Sequence, residues 1–184
     1  MAPARLYTIG HSTRSLEDLI ELLGREGVTH LVDVRAFPAS RRYPYFSRES
    51  LEQSLPKASI GYTHFPSLGG RREGRVDSRN TLWRNPSFRA YADYMETPEF
   101  SAAIDELLRV AEKESAAIMC AEAVPWRCHR SLISDAVFAR GVPVFHILDA
   151  ATQPHRLTSF ARIEGSRVHY DVAAQNELFE PGSS

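Results

Sequence analysis

The sequence predicts an α/β fold: a single domain with a mainly parallel, roughly five-stranded sheet flanked by helices, plus a C-terminal β-hairpin. Three observations carry this. Short apolar runs alternate with stretches whose apolar residues recur at helical spacing, Gly or Pro punctuates the joins, and polar residues gather where the apolar runs end.

Leu6-Tyr7-Thr8-Ile9 is the first predicted strand, stopped by Gly10. After the turn His11-Ser12-Thr13-Arg14, Ser15 and Asp18 resemble a capping box, Leu16, Leu19, Ile20, Leu22 and Leu23 form one stripe, and Gly27 suits the C-terminal cap. Val28 to Val34 is a second strand, ending in Asp33-Val34-Arg35 and followed by a loop with Pro38, Ser40, Arg41, Arg42 and Pro44. Ser47 caps a short helix through Leu55, and Tyr62-Thr63-His64-Phe65 gives a third strand before Leu68-Gly69-Gly70. Residues 71–87 lack periodicity and hold Arg71, Arg72, Arg75, Arg79 and Arg84; irregular stretches of this length are usually functional or mobile. Helix resumes near Phe88 and breaks at Thr97-Pro98, where Thr caps and Pro takes the first helical position of the next helix. Ala116 to Cys120 reads as a buried strand, Ser131 to Arg140 as a helix closed by Gly141, and Val142 to Leu148 as a fifth strand. Residues 1–150 form the predicted core. Residues 151–184 add, within the same domain, a hairpin over Phe160–Tyr170 turning at Glu164-Gly165-Ser166 and a frayed end at residues 180–184.

A chain of 184 residues, 43% apolar and 24% charged, can bury one core. Its N-terminus lacks the continuous apolar stretch of a signal peptide and no segment is long enough to span a bilayer, so the expected location is the cytoplasm, away from membranes. Two cysteines, Cys120 and Cys128, are too few for a disulfide framework and read as free thiols, core residues or ligands.

The net charge of −1 conceals an asymmetry. Residues 35–84 carry nine Arg and one Lys against four acids, +6, and the remainder carries twelve basic and nineteen acidic residues, −7. Twenty of the twenty-two basic residues are Arg, whose planar fork holds phosphate or carboxylate through paired hydrogen bonds. The partner this implies is an anionic ligand, a nucleotide or a nucleic acid. A genome that encodes Arg where others encode Lys would leave the same excess.

Ligands of open α/β sheets bind beyond the carboxyl ends of the strands, and that rule collects His11, Asp33, Arg35, Leu68-Gly69-Gly70 and the turn Glu122–Arg130 on one edge. Asp33 also fits a loop cap, and His11 a partner for backbone groups. The turn carries the densest signal. Cys128, His129, Arg130 and Ser131 start a helix, where free N–H groups favour an anion and lower a thiol's pKa; Arg127, His129 and Arg130 add positive charge around Cys128. Cys120, at the end of an apolar strand, reads as an inert core residue. Glu122 fits a general acid or base desolvated among loops, or a salt bridge with a nearby Arg. The spacing Cys-x7-Cys-His lacks the paired short spacing of structural zinc ligands, so neither metal nor other cofactor is expected. Tyr43 and Phe46 follow Arg41-Arg42, Trp83 adjoins Arg84 and Trp126 adjoins Arg127, an interleaving that suits stacking on bases as well as it suits clamps that pin loops to the core.

Thr8-Ile9-Gly10-His11-Ser12, Asp33-Val34-Arg35, Pro38-x-Ser40-Arg41, Leu68-Gly69-Gly70 and Cys120-x-Glu122 followed by Cys128-His129-Arg130 together resemble domain-of-unknown-function family 488, from about Leu6 to Tyr170. The resemblance implies an α/β fold and a shared polar site without bringing an established reaction. Pro154-His155-Arg156-Leu157-Thr158 is also similar to the family's tail, which adds His155 as a contributor. A rhodanese-like sulfurtransferase would likewise place Asp-x-Arg after one strand and a Cys before a helix, although Pro125 and Trp126 make the present turn a poor copy of its anion cradle. No G-x-G-x-x-G follows any strand, so the dinucleotide fingerprint is absent.

The leading expectation is a hydrolase or transferase acting on a phosphate-bearing nucleotide or nucleic acid, base excision being one version. Glu122 or Asp33 would activate water, and His11 or His129 would transfer a proton. Arg35, Ser40, Arg41, Arg127 and Arg130 would hold the anion, and Tyr43, Phe46 and Trp126 would stack. The alternatives are a thiol enzyme with Cys128 as nucleophile and a noncatalytic module that binds nucleic acid or a partner.

Overall fold

The computed structural model describes residues 3–172. Five parallel strands and one antiparallel edge strand form the sheet. β1 (Leu6–Gly10) lies between β4 (Ala116–Cys120) and β5 (Val144–Ile147), β2 (His30–Asp33) and β3 (Gly61–His64) continue outward from β4, and β6 (Thr152–Pro154) pairs antiparallel with β5. A separate two-stranded ribbon joins β7 (Arg162–Glu164) to β8 (Arg167–His169) through Gly165, whose φ of 61° is the left-handed value a tight hairpin asks for. The expected hairpin is present. β6 was not legible because Thr152-Gln153-Pro154 is short and mostly exposed, and ends in a Pro that only an edge tolerates.

The helices are α1 (Leu16–Arg25), α2 (Arg48–Ser54), α3 (Pro86–Met95), α4 (Pro98–Lys113) and α5 (Arg130–Ala139). Ser15, Ser47 and Thr97 each accept a backbone N–H at their helix start, as their sequence positions predict. α3 begins earlier than Phe88, because Asn85 accepts the N–H groups of Ser87 and Phe88 and Pro86 follows it.

Alternation along the strands divides the core between two faces. Leu6, Val32, Ile118, Cys120 and Val144 pack with Phe100, Ile104 and Leu107 of α4 and Leu132 and Ile133 of α5. Tyr7, Ile9, Leu31, Met119 and Ile147 pack with Leu19 and Leu23 of α1 and with Leu51 and Leu55. The chain therefore leaves β1 over one face and leaves β4, its neighbour, over the other. Such divergence between adjacent strands opens a crevice at their carboxyl ends. Among the described residues no helix is long and apolar enough to cross a membrane. The predicted fraying of residues 180–184 lies outside the described residues.

Candidate functional site

Close backbone packing builds this edge of the sheet. The N–H of His11 donates to the carbonyl of Cys120 (2.9 Å) and that of Ser12 to Ala121 (2.9 Å), so the loop after β1 runs against the loop after β4. A Cβ on Gly10 would overlap the carbonyl of Glu122, and one on Gly70 would sit 2.7 Å from Nδ1 of His129. These glycines let the loops of separate strands touch.

Asp33, Arg35 and His11 form one group. Arg35 donates through Nε to Oδ1 of Asp33 (2.9 Å) and through Nη2 to Oδ2 (2.6 Å), and its backbone N–H also reaches Oδ1 (3.1 Å). Nη2 further donates to the carbonyl of Phe46 (2.7 Å), and Tyr62 donates its hydroxyl to Asp33 (2.6 Å). Burial alone would lower the Arg35 pKa, but the Asp33 carboxylate raises it above the usual guanidinium value. His11 directs Nδ1–H to the carbonyl of Ser12 (3.0 Å), leaving Nε2 to accept from Nη1 of Arg35 (3.4 Å). Its pKa is lowered by burial and by the Arg35 charge.

The second group is the thiol pair. Sγ of Cys120 and Sγ of Cys128 are 2.6 Å apart, both buried. Burial pushes the Cys120 thiol up; the hydrogen bond from Cys120 holds Cys128 well below the ordinary thiol range against its own burial, aided by His129 and Arg130. The arrangement favours the proton on Cys120 and the anion on Cys128. The backbone N–H of Arg130 (3.5 Å) and Nδ1 of His129 (3.5 Å) also face Sγ of Cys128, while Nε2–H of His129 donates to the carbonyl of Val34 (3.0 Å). Cys120 lies in the core as expected, but it is a partner of Cys128 and not a bystander.

Arg130 is 1% exposed and makes no ion pair with a carboxylate among the described residues. It donates through Nη2 to the carbonyl of Glu122 (2.7 Å) and through Nη1 to Oγ1 of Thr8 (3.2 Å), while Nε finds no acceptor among the described residues. Beyond it runs a buried chain. Thr8 donates to Nδ1 of His146 (2.7 Å), His146 through Nε2 to Nδ1 of His155 (2.9 Å), and His155 through Nε2 to Oδ1 of Asp135 (2.8 Å). Asp135 also accepts from Thr158 and from the hydroxyl of Tyr170 (2.7 Å). Burial, with the neighbouring His155 and Arg130, lowers the His146 pKa to about 3.

Other expected site residues stand differently. Glu122 is exposed and touches Arg130 through its backbone carbonyl and not through its carboxylate. Arg35 is committed to Asp33, and Ser40 accepts the N–H of Tyr43 within its own turn. Arg41 and Arg127 are exposed, without side-chain hydrogen bonds among the described residues. Phe46 is buried and stacks on the His11 ring at 4.5 Å, which closes its face to any base. Tyr43 lies under the guanidinium of Arg42 (5.5 Å), whereas Trp126 is 61% exposed. Asp135 and His146, not singled out from sequence, and Thr8, quoted there only within a motif, belong to strand and helix interiors, where a lone polar residue carries no local signal. Among the described residues no group of three or more His, Cys, Asp or Glu is arranged to hold a metal ion.

Motif residues of four segments, around His11, Asp33, Gly70 and Cys128, thus meet at one sheet edge, and Ser40 and Arg41 stand apart from them. No curated protein and no solved structure matches the chain. A family model does, over residues 15–137, and the chain belongs to the family described as Domain of unknown function DUF488.

Proposed function

We propose that this chain is a thiol-dependent enzyme in which the Cys128 thiolate attacks an electrophilic substrate, forming a bond to sulfur as the bond to the substrate's leaving group breaks and that group departs with the bonding electrons. The observation that carries the reading is the environment of that sulfur: a thiol at 2.6 Å, a backbone N–H at a helix start and a buried guanidinium nearby that makes no ion pair with a carboxylate among the described residues. Each of these favours the anion. A thiolate beside Arg130 balances a charge that would otherwise be costly to bury. Cys128 supplies the nucleophile, and Cys120, His129 and Arg130 position and stabilise it, which is the arrangement covalent catalysis needs from a group too weak when protonated. Hydrolysis with Glu122 as base has less support, because its carboxylate is solvated and Arg35 is occupied.

The protein has no other cysteines, so alkylation reads the pair directly. At mildly acidic pH iodoacetamide is expected to add once, at Cys128 by peptide mapping, and not at all to Cys128→Ser. Addition only in the alkaline range of ordinary thiols would contradict the proposal.

A further inference from the structure

A cavity of about 720 Å³ opens beside the turn Pro125–Arg127, with Trp83, Pro125, Trp126, His146, His155 and Arg156 in its wall. Its size falls within the range of small-molecule sites, about 300–1,000 Å³. Both tryptophans of the protein line it. Trp83 is fixed by edge contacts to Phe88, Phe160 and Tyr170, and its Nε1–H is buried with no acceptor among the described residues. Trp126, by contrast, leaves its indole exposed. The ring nitrogens of His146 and His155 are all taken up by Thr8, by each other and by Asp135, so these rings offer a surface for packing and not free donors. Among the described residues no Asp or Glu lines the cavity, while Arg156 does and Arg127 is exposed next to Trp126. The larger cavity of about 870 Å³ differs: Arg75, Asp77, Glu96 and Arg140 bring both signs of charge to its wall, and Arg75 pairs with Asp77 and Glu96.

We infer that the cavity beside Trp126 binds a planar heteroaromatic ring carrying an anionic group, the chemistry of a nucleotide, with the ring against Trp126 and the anion toward Arg156. An exposed indole gains from covering by a flat ring, and a rim whose only charged side chain among the described residues is an arginine accepts the anion. The inference goes beyond the thiol proposal and does not rest on it, since Cys128 is not in this wall.

Because Trp83 and Trp126 are the only tryptophans and both line the cavity, tryptophan emission, excited selectively over the seven tyrosines, reports on its wall. Titration with adenosine 5′-monophosphate or uridine 5′-monophosphate is expected to change that emission saturably, and calorimetry then supplies affinities for variants that lack a fluorophore. Trp126→Ala should weaken binding about tenfold or more. Arg156→Ala should weaken the nucleotide and leave the matching nucleoside unaffected. Cys128→Ser should bind as the unaltered protein does, so failure here and failure of the thiol proposal are separate results. The inference is overturned if neither nucleotide gives a saturable signal by millimolar concentration, if ribose 5-phosphate binds as well as the nucleotides, or if Trp126→Ala binds normally. An unchanged affinity in Arg156→Ala overturns the anionic part.

Discussion

Sγ of Cys120, at the end of β4, lies 2.6 Å from Sγ of Cys128, one residue before the cap of α5. Burial favours the protonated form of Cys120, whereas at Cys128 the contact from Cys120 outweighs burial and favours the anion. A small disulfide-forming oxidant such as diamide should therefore close the pair within one chain: an S–S bond forms as Cys120 gives up its proton, and the diazene takes two electrons, with that proton and one from solvent, to become a hydrazine. Thiol titration should fall from both cysteines to none without a dimer on a non-reducing gel. Retention of both free thiols, or cross-linked dimers, would count against this placement.

Asp33 offers a test of the second group. Asp33→Asn leaves the buried Arg35 guanidinium without its carboxylate, a change that typically costs about 3–5 kcal/mol. Tyr62→Phe removes one hydrogen bond to the same carboxylate and should cost about 1–2 kcal/mol. Urea unfolding of both variants would measure the two losses, and equal losses would contradict the assigned pairing.

Gly10→Ala should be destabilising although its strand is regular, because the added methyl group meets the Glu122 carbonyl, itself the acceptor of Arg130. Overpacking of this kind costs about 1–3 kcal/mol. Thermal unfolding checks the cost, and a neutral substitution would show that the loops are not in contact.

Stability should also fall with acid before the carboxylates titrate. His146 is held neutral by burial, with a pKa lowered to about 3, whereas an unfolded histidine titrates near 6.5. Below that unfolded value the unfolded chain binds a proton that the native chain refuses, so stability is complete above it and declines as pH drops toward the folded value. His11, lowered chiefly by burial, acts with the same sign. The limiting slope is about 1.4 kcal/mol per pH unit for each group. His146→Gln should reduce the slope between about pH 6 and 4, measured by denaturant unfolding; an unchanged slope would remove His146 from the account.

Much of this was legible from local pattern. The strand ends, the caps at Ser15, Ser47 and Thr97, and the meeting of Gly10, Asp33, Gly70 and Cys128 at one edge follow from periodicity and from the rule for parallel sheets. What was not legible depends on register. Thr8 meets His146 because β1 and β5 align at those residues, and Cys120 meets Cys128 because the turn at Pro125 folds back over β4. The arginines misled for a related reason: a guanidinium expected to face a ligand, Arg35, has a carboxylate two residues away on its own strand end. Sequence shows the charge of Arg35 and of Glu122, but not that the first is buried and the second solvated.

The most direct test of the central claim is the ultraviolet absorbance of thiolate followed against pH in the unaltered protein, Cys128→Ser and Cys120→Ala. About one thiolate per chain is expected at mildly acidic pH in the unaltered protein, none in Cys128→Ser, and a titration displaced upward toward the ordinary thiol value of about 8.5 in Cys120→Ala, where the donating thiol is gone. A protein whose thiolate absorbance develops only in that ordinary range, with Cys120→Ala indistinguishable from it, would contradict the account.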